Sequence, residues 1–490
     1  MAEAIAPQST IAVVGAGTMG AGIAQVAAAA GHPVLLHDVR PDAVERAIEG
    51  IGQNLQKLVA KCKLSAQAAA DARVSPAASI EELALAHLVI EAVVEELQAK
   101  QKVFGKLESI VSSDCILATN TSSISITAIG AHLNHPQRLA GMHFFNPAPL
   151  MELVEVVSGL ATSRDCSETV FATATAWGKT PVHVKSSPGF IVNRVARPFY
   201  AEALKLLQEG AATPASIDAI LRESGGFRMG PFELMDLIGN DINFAVTKSV
   251  FEAYFFDRRF APSLLQQELV EAGRFGRKAG RGWYEYGENT TNTGPHTEPR
   301  VDEKLDGSEV RQALAEAGEY KTKAVTICVT DGATATVRAS RGTRSPSTVL
   351  VDLALDYLIA KRVAVAKAHQ CNDDAYHYAV ALLQAAGFSV TRVRDLPGMI
   401  VFRTVAMLIN EAADTANQRI CGVDALNTAM RKGVNYPLGP LEWADRIGIG
   451  KIWAGLQNIR QHYQEERYRV SPLLAELMTC CLKFEEWRHY

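Results

Sequence analysis

The stretch TIAVVGAGTMGAGIAQVAAAAGHPVLLHD, residues 10–38, decides how the chain begins to fold. An apolar segment ends at Val14, three glycines follow at Gly15, Gly17 and Gly20, and an Ala-rich helical pattern leads to a second apolar segment ending in Asp38. Glycines in G-x-G-x-x-G spacing between a strand and a helix have three uses. The first allows a tight turn, the second lets a pyrophosphate approach the backbone, and the third lets helix pack on strand. Thr18 and Met19 lie inside this fingerprint, where the helix start offers unpaired N–H groups to phosphates. Asp38 follows at about the 20-residue distance where a carboxylate accepts hydrogen bonds from an adenosine ribose. The stretch therefore predicts a dinucleotide site, with NAD preferred because an anion there repels a 2′-phosphate. Arg40, two residues on, leaves NADP slightly open.

The pattern continues outward. Apolar segments at "HLVIEAV", "CILATN", "LAGMHFF", "LVEVV" and "TPVHVK" alternate with helical stretches up to residue 187, which predicts a mostly parallel sheet covered on both faces. Residues 41–72 exceed one crossover helix and read as a helical excursion carrying Lys57, Lys61 and Lys63. At 490 residues and 48% hydrophobic content, two to four domains are expected. A net charge of -4 without a basic block gives no nucleic-acid or anionic-membrane surface. The first basic residue is Arg40, so the positive flank of a signal peptide is missing and the Ala/Gly-rich run reads as a buried strand and helix. Eight cysteines show no metal-ligand spacing and no disulfide framework, which suits a reducing cytoplasm.

The second half repeats part of the first. "SPGFIVNRVARPFYAEAL" at 187 recurs as "LPGMIVFRTVAMLINEAA" at 396, and "GPFELMDLIG" at 230 recurs as "GPLEWADRIG" at 439. The constant offset of 209 also aligns "LVEVVSGL" with "RVAVAKAH". The expected organisation is an α/β dinucleotide domain of Rossmann type at 1–187, a helical domain at 188–286 and a polar linker at 287–320. A reduced, diverged α/β segment at 321–395 and a second helical copy at 396–490 follow.

The catalytic expectation comes from GMHFFNPAPLMELVEVV, residues 141–157. A reversal centred on Pro149 sets position i opposite 298 minus i, so His143 faces Glu155 at roughly 5 Å. A carboxylate on one imidazole nitrogen fixes the tautomer and stabilises the imidazolium formed when the other nitrogen takes a proton. With NAD nearby, that proton is expected to come from an alcohol giving up hydride. The plainer reading is a structural His–Glu pair. "ATNTSSISI" sets Asn120, Thr121, Ser122 and Ser123 at the carboxyl edge of the sheet, where such folds hold ligands, and also suits a helix N-cap. Asn193, in "SPGFIVNR", lies one turn into the first helix of the helical domain, where it reaches back toward the cleft or is structural.

Taken together, "GAGTMGAGIA", "IEAVVEELQAKQKVF", "NTSSI", "HFFNPAPLMELVEV", "SPGFIVNR", "GPFELMDLIG" and "GRKAGRGWYEY" resemble the 3-hydroxyacyl-CoA dehydrogenase family over residues 9–286. The resemblance implies His143 as catalytic base, Glu155 as its orienting partner, and Ser122 and Asn193 as contacts to substrate and reacting oxygens. It implies NAD contacts from Glu95, Lys100 and Asn120 beside the glycines and Asp38, and CoA contacts from Asn54 and Lys61. The duplicated helical domain without a fused hydratase resembles the members that oxidise 3-hydroxyadipyl-CoA in phenylacetate degradation. Short-chain 3-hydroxybutyryl-CoA members share every motif. The same residues would also suit a sugar-acid dehydrogenase of the crystallin-like branch, or a protein that keeps NAD without turnover. A dicarboxylyl chain calls for a cation, for which Arg194, Arg197 and Arg228 are candidates. At offset 209, His143, Glu155 and Asn193 meet Asp352, Ala364 and Phe402, so the second copy is not a second site of this kind. It is expected instead to act as an internal dimer partner covering apolar helix faces, as short members dimerise through the helical domain; a homodimer remains open.

Overall fold

A computed structural model describes residues 3–62, 65–288, 290–301, 305–341 and 347–487. Lys63 lies outside the described residues, as do Asn289 and residues 302–304 of the expected linker. The chain forms two compact units, Met1–Arg194 with Gln418–Val434, and Val195–Asn417 with Asn435–Tyr490.

The first unit holds an eight-stranded sheet: β1 (Ile11–Val14), β2 (Val34–His37), β3 (Val74–Pro76), β4 (Leu88–Glu91), β5 (Ile116–Thr119), β6 (Leu139–Phe144), β7 (Leu153–Ser158) and β8 (Thr180–Lys185). Their order is β3-β2-β1-β4-β5-β6-β7-β8. Every neighbouring pair is parallel except β6 and β7. Strands β1 and β4 are buried at every position. Successive side chains point to opposite faces, so this burial means both faces are covered, as expected of a parallel sheet. Strand order reverses between β1 and β4, the place where such sheets open a crevice at their carboxyl ends. The excursion after Asp38 is two helices, Pro41–Ala60 and Ala66–Asp71. The first starts with proline at N1, where the missing N–H costs nothing, and buries Val44, Ala47, Ile51 and Leu55 along one stripe.

The second unit contains helices from both copies and a five-stranded sheet, β9 (Glu319–Lys321), β10 (Thr326–Val329), β11 (Thr348–Val351), β12 (Arg362–Lys367) and β13 (Ser389–Arg392), in the order β13-β12-β11-β10-β9. The pairs β10–β11, β11–β12 and β12–β13 are parallel, antiparallel and parallel. That is the pattern of β5 to β8, so the second copy keeps the last four strands of the first sheet. Antiparallel β9 stands beside β10 where β4 stands beside β5. The polar stretch expected as linker is more ordered than its composition suggests. Val310 and Leu314, four residues apart, bury one face of the helix Val310–Glu316, and β9 begins within the same stretch.

The two helical copies interlock. Helix Arg197–Gln208 packs along helix Val401–Asn417. Glu202 of the first copy accepts from Arg403 at 2.8 Å and Arg467 at 2.9 Å, while its counterpart Glu411 pairs with Arg259 at 3.1 Å. Each glutamate is thus neutralised by arginine of the other copy. Burial alone would raise the Glu202 carboxyl, but Arg467 and Arg403 outweigh it and hold it below the usual range. An exchange of helices accompanies this pairing. Pro214–Glu223 packs on β12, whereas its equivalent, Val423–Gly433, packs on β7 and β8.

Candidate active site

The fingerprint glycines have the separate environments their spacing predicts. Gly15 has φ +108°, and a Cβ there would meet the Ala92 carbonyl oxygen at 2.4 Å. A Cβ on Gly20 would meet the Gly15 carbonyl oxygen at 1.7 Å, whereas one on Gly17 would meet nothing within 4 Å. The turn and helix contact are therefore closed to larger side chains, and the middle position faces open space. Helix Thr18–Ala29 starts at Gly17 with no side-chain cap, leaving its first N–H groups for a phosphate. Asp38, at the end of β2, accepts from the Ala16 amide at 2.8 Å and the Arg40 amide at 2.9 Å. Burial would raise its carboxyl, but those amides and the Arg40 guanidinium hold it below the ordinary value, so the anion persists.

The strand register brings His143 opposite Glu155, and His143 Nδ1 lies 2.6 Å from Glu155 Oε2. Both residues are buried, at 5% and 0% exposure. The rings of Phe145 and Phe190 stand 4.6 and 5.7 Å from the imidazole centroid. The other carboxylate oxygen, Glu155 Oε1, accepts from the Ile191 and Val192 amides at 3.0 Å each. One carboxylate thus orients the imidazole and caps the start of the helix Val192–Val195, which carries Asn193. The Asn193 side chain is half-buried and makes no hydrogen bond within the described residues.

A second carboxylate organises the loop after β5. Glu95 Oε1 accepts from Thr121 Oγ1 at 2.7 Å, from the Ser122 amide at 2.8 Å and hydroxyl at 3.2 Å, and from the Ser123 amide and hydroxyl at 3.0 Å. Lys100 sits between Glu91 at 2.7 Å and Glu95 at 3.2 Å. Burial would raise Glu95, but Lys100 and the Thr121, Ser122 and Ser123 donors outweigh it and keep the carboxylate ionised. Asn120 Oδ1 accepts from the Phe144 amide at 2.8 Å, tying the end of β5 to the strand of His143. The N-cap reading of this loop falls to Ser125, whose hydroxyl caps the helix Ile126–Gly130. Asn120 and Ser122 therefore stay at the carboxyl edge, Asn120 with its oxygen committed to the fold.

A cavity of about 610 Å³ runs from Gly17 and Thr18 along the helix Pro41–Ala60 to the loop Asn146–Leu150. Asn54 and Lys61 line it, as do Arg40, Arg46 and Lys57. Positions 46, 50, 54, 57 and 61 recur at helical spacing, and that periodicity was the signal that would have added Arg46 to the sequence prediction. Four cations on one groove suit a ligand with several phosphates.

The match to known proteins is nearly end to end. The family model for the NAD binding domain of 3-hydroxyacyl-CoA dehydrogenase covers residues 10–187, and that for the C-terminal domain matches twice, at 189–286 and 398–480. The reduced Rossmann-fold domain of 3-hydroxybutyryl-CoA dehydrogenase matches 327–397. The chain is 46% identical over 95% of its length, and 97% of the relative's, to the 3-hydroxyadipyl-CoA dehydrogenase of Escherichia coli (strain K12). It belongs to the 3-hydroxyacyl-CoA dehydrogenase family. Its Rossmann-type domain is an NAD-binding domain, and the open Gly17, the free helix start and the ionised Asp38 fit that cofactor. The crystal structure of 3-hydroxybutyryl-CoA dehydrogenase from Escherichia coli superposes with a TM-score of 0.90 at 45% identity, covering 96% of this chain and 98% of that one. A probable 3-hydroxybutyryl-CoA dehydrogenase of Bacillus subtilis (strain 168) is 42% identical over 57% of this chain and 98% of its own.

The dehydrogenase fold also uses residues that local sequence could not flag. Gln418 Oε1 accepts from Arg194 at 2.8 Å, and the Ile420 carbonyl accepts from the Lys185 amide at 2.9 Å. The Cys421 thiol, pushed up to about 12 by burial, also feels the charge of Glu155. A Cβ on Gly433 would meet Leu153 at 2.7 Å and Val192 at 3.0 Å. Residues of the second copy therefore back the strand and helix that hold the His143–Glu155 pair.

Proposed function

We propose that this dehydrogenase oxidises an (S)-3-hydroxyacyl-CoA to the 3-oxoacyl-CoA, with 3-hydroxyadipyl-CoA as substrate. The observation that carries the chemistry is the 2.6 Å contact between His143 Nδ1 and Glu155 Oε2 in a domain built for NAD. Nδ1–H donates to the carboxylate, which leaves Nε2 as the base that takes the hydroxyl proton. Glu155 stabilises the imidazolium so formed, and the aromatic rings of Phe145 and Phe190 limit its exposure to water. When bound, the nicotinamide supplies the hydride acceptor. Ser122, on the loop fixed by Glu95, and the uncommitted Asn193 amide contact the substrate oxygens; Asn54, Lys61, Arg46 and Lys57 meet the CoA phosphates. Glu95, Lys100 and Asn120 border the cofactor and act by holding that loop and strand in place.

The adipyl reading is supported by the near-complete match to 3-hydroxyadipyl-CoA dehydrogenase. A second reading, a short acyl chain, is favoured by the name of the superposable crystal structure. NADH formation with 3-hydroxyadipyl-CoA and 3-hydroxybutyryl-CoA at equal enzyme distinguishes them, and the adipyl compound is expected to give the higher kcat/KM. Preference for the short chain would leave the chemistry standing and remove the dicarboxylate assignment. No helix among the described residues is long and apolar enough to cross a membrane. A cytoplasmic enzyme whose second helical copy serves as its dimer partner fits these features.

A further inference from the structure

The second copy has a cavity of its own, about 560 Å³ in volume and lined only by residues of the second unit. Val329, Asp331 and Leu353 line it at the carboxyl ends of β10 and β11, and the helices Val401–Asn417, Pro440–Ile447 and Ile449–Tyr463 supply further wall. These walls are in close contact. A Cβ on Gly332 would meet the Gly455 carbonyl oxygen at 2.3 Å, and one on Gly455 would meet the Phe402 ring at 2.1 Å. Asn458 Nδ2 donates to the Asp331 carbonyl oxygen at 2.9 Å. The helix Ile449–Tyr463 is thus fixed against the loop after β10, and the cavity is a preformed space.

At offset 209 the lining residues Val329, Asp331 and Phe402 hold the places of Asn120, Ser122 and Asn193. Asp352 stands where His143 does and no glycine fingerprint precedes it, so a ligand here is held without being turned over. The charge of the lining has also changed. Ile129, Leu237 and Ile242 of the first copy, all apolar, correspond to Arg338, Arg446 and Lys451, and Ser122 and Pro147 correspond to Asp331 and Asp356.

The lining therefore carries three cations against two carboxylates. Arg338 is 8% exposed and lies 3.6 Å from Asp331 Oδ2. Its Nη1 donates to the Val329 carbonyl oxygen, but its buried Nε has no hydrogen-bond partner. Asp356 is tied to the Leu358 amide at 2.9 Å. Arg446 and Lys451 are exposed and make no ion pair among the described residues. One positive charge is left for a ligand to neutralise. Leu314, Val405 and Trp443, each no more than 2% exposed, give the lining an apolar share. Small-molecule sites are commonly cavities of about 300–1,000 Å³ with apolar walls and a few polar groups. Such walls with a single excess positive charge suit an aliphatic monocarboxylate, which guanidinium and ammonium groups bind through charge-assisted hydrogen bonds.

We propose that this cavity is a second, non-catalytic binding site that takes an aliphatic monocarboxylate, with the chain against Leu314, Val405 and Trp443 and the carboxylate on Arg446 and Lys451.

The test is calorimetric titration of octanoate into the full-length protein, into R446Q/K451Q and into A454W. Ala454 is exposed and lines the cavity, so a tryptophan there fills the space without entering the core. One octanoate per chain is expected, bound about tenfold more weakly by R446Q/K451Q, where charge-assisted contacts become neutral. Binding should be lost in A454W, with melting temperatures unchanged in both variants because the substituted positions are on the surface. A comparison on the unaltered protein needs no variant to fold. Octan-1-ol, with the same chain and no charge, should bind about tenfold more weakly than octanoate. Absence of octanoate binding, equal affinity in the parent and both variants, or octan-1-ol bound as tightly as octanoate would overturn the site.

Discussion

The edge of the first sheet and the edge of the second are built on one plan and put to different uses. In the first, His143 faces Glu155, and Glu155 both holds the imidazole and accepts from the Ile191 and Val192 amides. In the second, the same positions are Asp352 and Ala364. Asp352 Oδ2 accepts from the Ile400 and Val401 amides at 2.9 and 2.7 Å, and Oδ1 from the Phe402 amide at 3.1 Å. Ile400 and Val401 are the counterparts of Ile191 and Val192. A carboxylate thus caps the same helix start in both copies, reaching it from opposite strands. The cap belongs to the fold, and the second copy makes it from the position that holds the histidine in the first.

That contrast can be broken most sharply at His143. His143→Gln should cut turnover by about 100-fold or more, the share of general-base assistance, while a fluorescence titration shows unchanged NAD affinity. Comparable turnover in that variant would reduce the pair to a structural one. Glu155→Gln separates its two duties. The amide oxygen can still accept from the Ile191 and Val192 amides, so the melting temperature should hold, while the NH2 group then faces Nδ1 and puts the imidazole proton on Nε2, so turnover should fall about as far as in His143→Gln.

Asp352 provides the matching test in the second copy. Burial pushes its carboxyl up to about 6, against the pull of the Val401, Phe402, Ile400 and Leu353 amides. Its folded pKa exceeds the unfolded value of about 3.9, so its contribution is fully present below pH 4 and is lost as pH rises through 6. Asp352→Asn keeps an acceptor and removes that ionisation. Its melting temperature relative to the parent should therefore rise between pH 4 and pH 7, with turnover at pH 7 unchanged. A flat difference would mean that Asp352 is not the raised carboxyl. The smallest effect is expected at Lys432, whose partly exposed pair with Glu152 spans 2.6 Å. Lys432→Met should change stability by less than about 0.5 kcal/mol by chemical denaturation, because such pairs are screened. A larger loss would mean that charge rather than packing seats the helix Val423–Gly433.

The parts legible in the sequence were those whose partners are near in the chain or fixed by periodicity. The glycine fingerprint and Asp38 are local, and the facing of His143 and Glu155 follows from one reversal at Pro149. The 209-residue offset exposed the second copy, and its missing histidine followed directly. Four things were not legible. The second duty of Glu155 depends on amides 36 residues away. The loop contacts of Glu95 depend on how β4 and β5 end beside each other. The helix Val423–Gly433 carries the same pattern as Pro214–Glu223, and nothing local says which sheet either one meets. Polar composition likewise hid the helix Val310–Glu316, whose burial rests on only two apolar positions.

The exchange of that helix also sets an order of events during synthesis. The catalytic sheet is made first, yet the residues that back its His143–Glu155 edge, Gln418–Val434, come late in a chain of 490 residues. Contacts so far apart in sequence form late and slowly. While the ribosome is still extending the chain, the helix Arg164–Ala176 already packs on β7 and β8, but the face that Val423–Gly433 covers stands open, and its apolar side chains must be kept from other nascent proteins until residue 434 has emerged.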